Sequence, residues 1–166
     1  MIASVRRLLH VVIAMWGVLL CHAEALPQVG GNLAAGPPLD LTLEITTGPD
    51  GPILSDNELR LITGEYYRLN VTSDSELDWR LDVDELLRNS HLRIVTINGI
   101  EVHLQGLSFR AIEFDVPGTA QFSFTPIRAG TFRFSVGDVP STVRRRSDEA
   151  GRPVAPRTVA GQFVVE

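Results

Sequence analysis

"FRAIEFDVPGTAQFSFTPIRAGTFRFSV", residues 109–136, sets apolar side chains at every second position three times over. Ile112 and Phe114 flank Glu113, Phe122 and Phe124 interleave with Gln121, Ser123 and Thr125, and Phe132, Phe134 and Val136 interleave with Arg133 and Ser135. A helix repeats its apolar face about every 3.6 residues, whereas a strand changes side with each residue. The stretch therefore predicts strands at 109–116, 119–127 and 130–136, each with one face in a core. The phenylalanines at 122, 124, 132 and 134, spaced by two around "TPIRAG", predict two adjacent antiparallel strands facing that core.

The same alternation extends outward in both directions. "LDLTLEIT" (39–46) puts Leu39, Leu41, Leu43 and Ile45 on one face, and "GPDGP" (48–52) reads as a turn cluster. "ELRLI" (58–62) and "EYYRLNV" (65–71) are short strands about a glycine, with Tyr67, Leu69 and Val71 alternating against Arg68 and Asn70. "HLRIVTING" (91–99) and "IEVHL" (100–104) meet at Asn98-Gly99, a pair that favours a tight hairpin, and "AGQFVVE" (160–166) closes the chain. One segment departs from period two. "LDVDELLRN" (81–89) predicts a short helical turn across one end, capped by Asp82 or Asp84. The expected fold is all-β: a Greek-key sandwich of about eight or nine strands with one short helical turn, forming a single domain over 39–166.

The first 25 residues are read as a secretory signal peptide: Arg6 and Arg7 precede an apolar run from Leu8 to Leu20, then small residues offer cleavage after Ala23 or Ala25. Residues 26–38 are glycine and proline rich and read as a flexible lead-in. A periplasmic or secreted location follows, with no membrane span after processing. Cleavage also removes Cys21, Met1 and Met15, leaving a chain with no sulfur ligand, thiol nucleophile or disulfide. Without Arg6, Arg7 and Glu24, the 15 basic and 20 acidic residues become 13 and 19, a net charge of −6. There is no lysine, and the balance argues against nucleic acid as a partner. The one basic run, Arg144 to Arg146, is followed at once by Ser147-Asp148-Glu149 and reads as a loop tip.

Motifs for catalysis are lacking. "VGGNLAAG" (29–36) has neither the strand-loop-helix context nor the lysine of a phosphate loop, and no serine sits in a nucleophile elbow. No catalytic residue and no cofactor is expected. The acids of "DSELDWRLDVDE" (74–85) do not follow calcium-loop spacing and read as solvated surface. Asn70 opens the glycosylation pattern Asn70-Val71-Thr72 on the solvent side of its strand. His91 and His103 stand at the outer ends of the predicted 91–104 hairpin. With Glu101 they form the alternative reading, a non-blue copper or zinc site.

Residues 58–166 resemble cupredoxin-like proteins exported by bacteria, through "ITGEYYRLNVTSD", then residues 109–136, then the closing "GQFVV". That resemblance implies a copper-binding cysteine at Val136, or at Ser135 or Gly137 in a shifted register. It implies histidines near Thr142 and near Trp79 or Arg80, and a methionine near Val159. None of these residues supplies a blue-copper ligand set, which needs a thiolate and two imidazoles. The implied ligand loop is instead lengthened by "VRRRSDEAGRPVAPRT" (143–158), whose charges and prolines suit recognition. The function read from this is a copper-free periplasmic binding or accessory module that contacts another exported protein. Its candidate contact residues are Asp138, Arg144, Arg145, Arg146, Arg152 and Arg157. A structural accessory subunit of an exported complex is the other alternative.

Overall fold

The structure, a computed structural model, describes residues 36–103, 109–143, 151–152 and 154–166. The expected leader, most of the lead-in and Arg144, Arg145 and Arg146 lie outside the described residues. Alternation becomes sidedness most plainly in β4 (Tyr67–Ser73), where Tyr67, Leu69, Val71 and Ser73 are buried and the residues between them half-buried. β4 lies at the centre of a six-stranded sheet. Its partners are β1 (Leu39–Gly48), running parallel, and β9 (Gly118–Pro126), running antiparallel. β2 (Gly51–Leu54) extends the sheet beyond β1, and β6 (Ser90–Ile97) and β7 (Ile100–Val102) extend it beyond β9.

The second sheet has five strands, in the order β3 (Glu58–Leu61), β11 (Thr158–Val165), β10 (Gly130–Asp138), β5 (Trp79–Asp82) and β8 (Ala111–Phe114). All its pairs are antiparallel except β3 with β11. The all-β sandwich thus holds, with eleven strands among the described residues rather than eight or nine. β2 was hidden in the "GPDGP" turn cluster and β5 in the acidic segment. Pro52 is tolerated in β2 because that strand is a sheet edge, where a missing N–H leaves no ladder gap.

One pairing expected from sequence is corrected. β9 and β10 are not hydrogen-bonded neighbours: β9 pairs with β4 and β6, while β10 pairs with β5 and β11. The "PIRAG" connection therefore passes from one sheet to the other. Phe122 and Phe124 face Phe132 and Phe134 across the core, and all four are buried. Tyr67 packs on Phe124 at 6.1 Å and Phe134 on Phe163 at 4.9 Å between ring centres. Burial of each such ring stabilises the fold by roughly 1.5–3 kcal/mol relative to exposure.

Between β5 and β6 the chain crosses one end of the sandwich through α1 (Asp84–Arg88). Neither Asp82 nor Asp84 caps it: the N-cap is Val83, without a side-chain cap hydrogen bond. Asp82 is instead bonded to Arg80, and Asp84 occupies the first turn, where its charge suits the helix dipole. α1 turns Leu86 and Leu87 into the core. The Asn98-Gly99 hairpin forms as expected, joining Ile97 to Ile100 with φ of 48° and 81° at the two turn residues. Among the described residues no helix is long and apolar enough to cross a membrane.

Candidate functional site

The end of the sandwich opposite α1 is where β1, β4, β6, β8 and β10 finish, and there the 138–158 loop begins. β10 carries its inward series Phe132, Phe134, Val136 one step further, to Asp138. A carboxylate is thereby placed at the lip of an apolar core, with its side chain only 1% exposed. Burial of that charge is tolerable only with close donors. They come from Arg157, at the far end of the loop: Nη2 donates to Oδ1 at 2.7 Å, Nε to Oδ2 at 3.2 Å, and the backbone N–H to Oδ2 at 2.7 Å. Asp138 N–H returns a bond to the Arg157 carbonyl at 3.0 Å. The loop is closed at its base by both backbone and side chains.

Arg157 also ties that closure to the rest of the end. Its guanidinium lies 4.9 Å from the centre of the Trp79 ring, within range of a cation–π attraction. Trp79 is fully buried and pairs across strands with Asp138. Its indole N–H donates to Thr47 Oγ1 at 3.1 Å, and Thr47 shares a 2.6 Å hydroxyl contact with Ser75. The stem of Arg157 reaches the turn between β1 and β2, where a Cβ on Gly51 would lie 3.0 Å from Arg157 Cβ. One side chain thus touches strands or turns of both sheets.

The positions that the family resemblance assigns to copper converge at this end. Val136 pairs with Leu81 on one side and Val159 on the other, and Trp79 stands on the adjacent strand. Val136 and Trp79 are fully buried and apolar, while Ser135 and Gly137 alternate to the outer face. The donor chemistry does not fit copper: there is no thiolate, imidazole or thioether among them. Where a blue-copper centre would need sulfur and imidazole donors, the chain places an indole and an aspartate whose oxygens are bonded to Arg157. Among the described residues no group of three or more His, Cys, Asp or Glu is placed to hold a metal ion.

Of the candidate contact residues, Asp138 and Arg157 are brought together as the loop's clasp. Asp138 is too buried to meet a partner itself. Arg152 is exposed, and Arg144, Arg145 and Arg146 lie outside the described residues. For the histidine alternative, Glu101 and His103 approach to 3.9 Å on exposed side chains. β6 and β7 pair Val95 with Val102, so continuing that register sets His103 opposite Ile94. His91 pairs with Thr125 and stands three residues further along β6, about 10 Å at strand rise.

Two other segments singled out in the sequence gain detail. Asn70 sits in the central strand β4, its amide nitrogen donating to Asp40 Oδ1 at 3.1 Å and its oxygen accepting from Gln121 at 2.7 Å. The nitrogen a glycan would need is engaged in the folded chain. The same cluster holds the Asp40 carboxyl at about 2, chiefly through the hydrogen bond from Arg68 and then that from Asn70. The acidic segment is surface, as expected, with Asp74, Glu76 and Glu85 exposed, and two of its half-buried acids are paired with arginine. Asp82 accepts two bonds from Arg80, whose third goes to Glu113, and Asp84 pairs with Arg88. Sequence reasoning missed the Trp79–Arg157–Asp138 assembly, although extending the β10 alternation by one step points Asp138 inward.

No family model matches this chain, and no curated protein matches it. The fold does recur among solved structures. Fet3p, a multicopper oxidase that functions in iron import, aligns over 80% of this chain and 29% of its own, with 10% identity and a TM-score of 0.55. A second multicopper oxidase aligns over 78% of this chain and 45% of its own, with 9% identity and a TM-score of 0.50. The chain spans less than half the length of either, and likeness at such identity carries the fold alone. The fold is a cupredoxin-like β-sandwich whose described residues lack a metal-ligand cluster.

Proposed function

We propose that this chain is a copper-free, cupredoxin-like module of the periplasm or secreted space that works by protein–protein contact, presenting the loop between Asp138 and Arg157 to another exported protein. The observation that carries the reading is the clasp at the loop's base. A loop serving only to solubilise needs no fixed base, whereas a recognition loop gains from having both stems held in one geometry before it binds. Pro140, Pro153 and Pro156 restrict the same loop further and reduce the entropy lost on ordering. Asp138 and Arg157 then position the loop, while Arg144, Arg145, Arg146 and Arg152 supply the contacts. Arginine suits the task because its planar fork pairs with carboxylates and its stem covers apolar surface.

Changing Arg144, Arg145 and Arg146 together to serine is expected to leave the melting transition within about 0.5 kcal/mol of the parent. Crosslinked capture of the partner in the native host is expected to fall about fivefold or more at low ionic strength. The difference should narrow at high salt, where screening has already weakened the charge contribution. Unchanged capture by the triple variant at low salt would remove the loop from consideration and direct attention to the acidic segment Asp74–Glu85.

A further inference from the structure

We propose that a cleft on the outer face of the five-stranded sheet binds a carboxylate, held by Arg110 together with the hydroxyls of Ser135 and Thr158. The cleft has a volume of about 430 Å³ and lies beside the base of the 138–158 loop, walled there by Pro140. Its depth has a simple origin in the register. On the outward face Asp82 stands between Ala111 and Ser135, and Gly137 between Arg80 and Thr158. Small residues at 135 and 137 leave room between the longer side chains of Arg80 and Arg110. Gly137 is needed for this: a Cβ there would meet Thr158 Oγ1 at 2.6 Å and the Arg157 carbonyl at 2.8 Å.

The lining carries two arginines, Arg80 and Arg110, and two carboxylates, of which Asp138 is bonded to Arg157 and Asp82 to Arg80. Asp82 is occupied by Arg80, which donates Nε and Nη2 to its two oxygens and Nη1 to Glu113. Both acids are held by that one guanidinium, and the trio keeps one net negative charge. Arg110, by contrast, is exposed and has no hydrogen bond or ion pair among the described residues, in a chain where acids outnumber bases 20 to 15. The hydroxyls of Ser135 and Thr158 are likewise without a side-chain hydrogen bond among the described residues. Beside those arginine-bonded acids, the lining offers the Arg110 guanidinium fork and the hydroxyls of Ser135 and Thr158 as donors. A carboxylate supplies two anionic oxygens in the geometry a guanidinium fork accepts. The volume falls within the range of sites for small ligands or the end of a peptide. The inference stands on residues other than the loop arginines and does not depend on the loop's role.

The test is an NMR titration of the purified protein, following arginine Nε–Hε signals, with three probes: succinate, N-acetyl-trialanine with a free carboxyl terminus, and its C-terminal amide. Saturable shifts of the Arg110 signal are expected with succinate or the free-acid peptide, and none with the amide. Arg110→Gln is expected to weaken that binding about tenfold or more, and Ser135→Ala with Thr158→Val about threefold or more. The second variant keeps the test open if the first does not fold. Tighter succinate binding assigns the site to small acids, tighter peptide binding to a chain end, and either supports the carboxylate site. Failure of both acids to saturate, equal binding of the amide, or undiminished binding by either variant would overturn it.

Discussion

Arg157→Ala is expected to destabilise the protein by about 3 kcal/mol in denaturant melts, the low end of the cost of breaking a buried ion pair by removing one partner. The low end applies because the Arg157 side chain keeps 24% of its exposure, so part of its charge is already solvated. The Asp138 carboxylate has no such relief. At 1% exposure it would keep the Arg157 backbone donor and lose every bond from the Arg157 guanidinium. The same truncation strips the cation from the Trp79 face and the stem from Gly51. Asp138→Ala combined with Arg157→Ala is expected to cost clearly less than the sum of the two single changes, because the double variant leaves no buried charge unpaired. An Arg157→Ala protein within about 0.5 kcal/mol of the parent would mean the clasp does not hold the loop.

The second large effect lies in the core. Phe124→Ala is expected to cost about 3–5 kcal/mol, combining lost transfer energy with a cavity that β-sheet backbone on both sides cannot close. Phe124 is fully buried, lies between Tyr67 of β4 and Leu92 of β6, and packs its ring on Tyr67. Gln121→Ala, on the opposite face of the same strand, loses one hydrogen bond to Asn70 and is expected to cost about 1 kcal/mol. Equal losses at the two positions would contradict the assigned faces of β9.

These two residues also mark what was legible in the sequence. Alternation identified the inward faces of β4, β9 and β10, because a strand's side-chain period is fixed by its backbone. It could not name the neighbouring strand, since a run of alternating phenylalanines is equally satisfied by a partner beside it or across the core. That is why β9 and β10 were expected side by side and stand in opposite sheets. β5 was missed for a different reason: Arg80 and Asp82 look solvated in a row of charges, yet they neutralise each other on one face while Trp79 and Leu81 fill the other.

At the candidate site, the missing copper ligands were legible from composition, since the one cysteine, Cys21, lies well before the first strand in sequence and none follows it. The clasp was half legible. Asp138 and Arg157 both belonged to the candidate surface, but sequence gave no sign that they face each other. Such a contact joins two ends of a loop, and only the pairing of β10 with β11, which sets Gly137 opposite Thr158, brings those ends together. His91 and His103 illustrate the converse: symmetric placement about a turn suggested proximity, and a register offset of three residues separates them.

The claim on which the account turns is that a cupredoxin-like scaffold here works without its metal. Calorimetric titration of the purified protein with copper(II) and with zinc(II), alongside visible absorption and repeated on His91→Ala/His103→Ala, tests it most directly. The account predicts no intense thiolate-to-copper band near 600 nm (about that value for such ligands) and no tight stoichiometric uptake of either ion, in the parent or the double variant. Tight one-to-one binding by the parent, abolished in His91→Ala/His103→Ala, would contradict it.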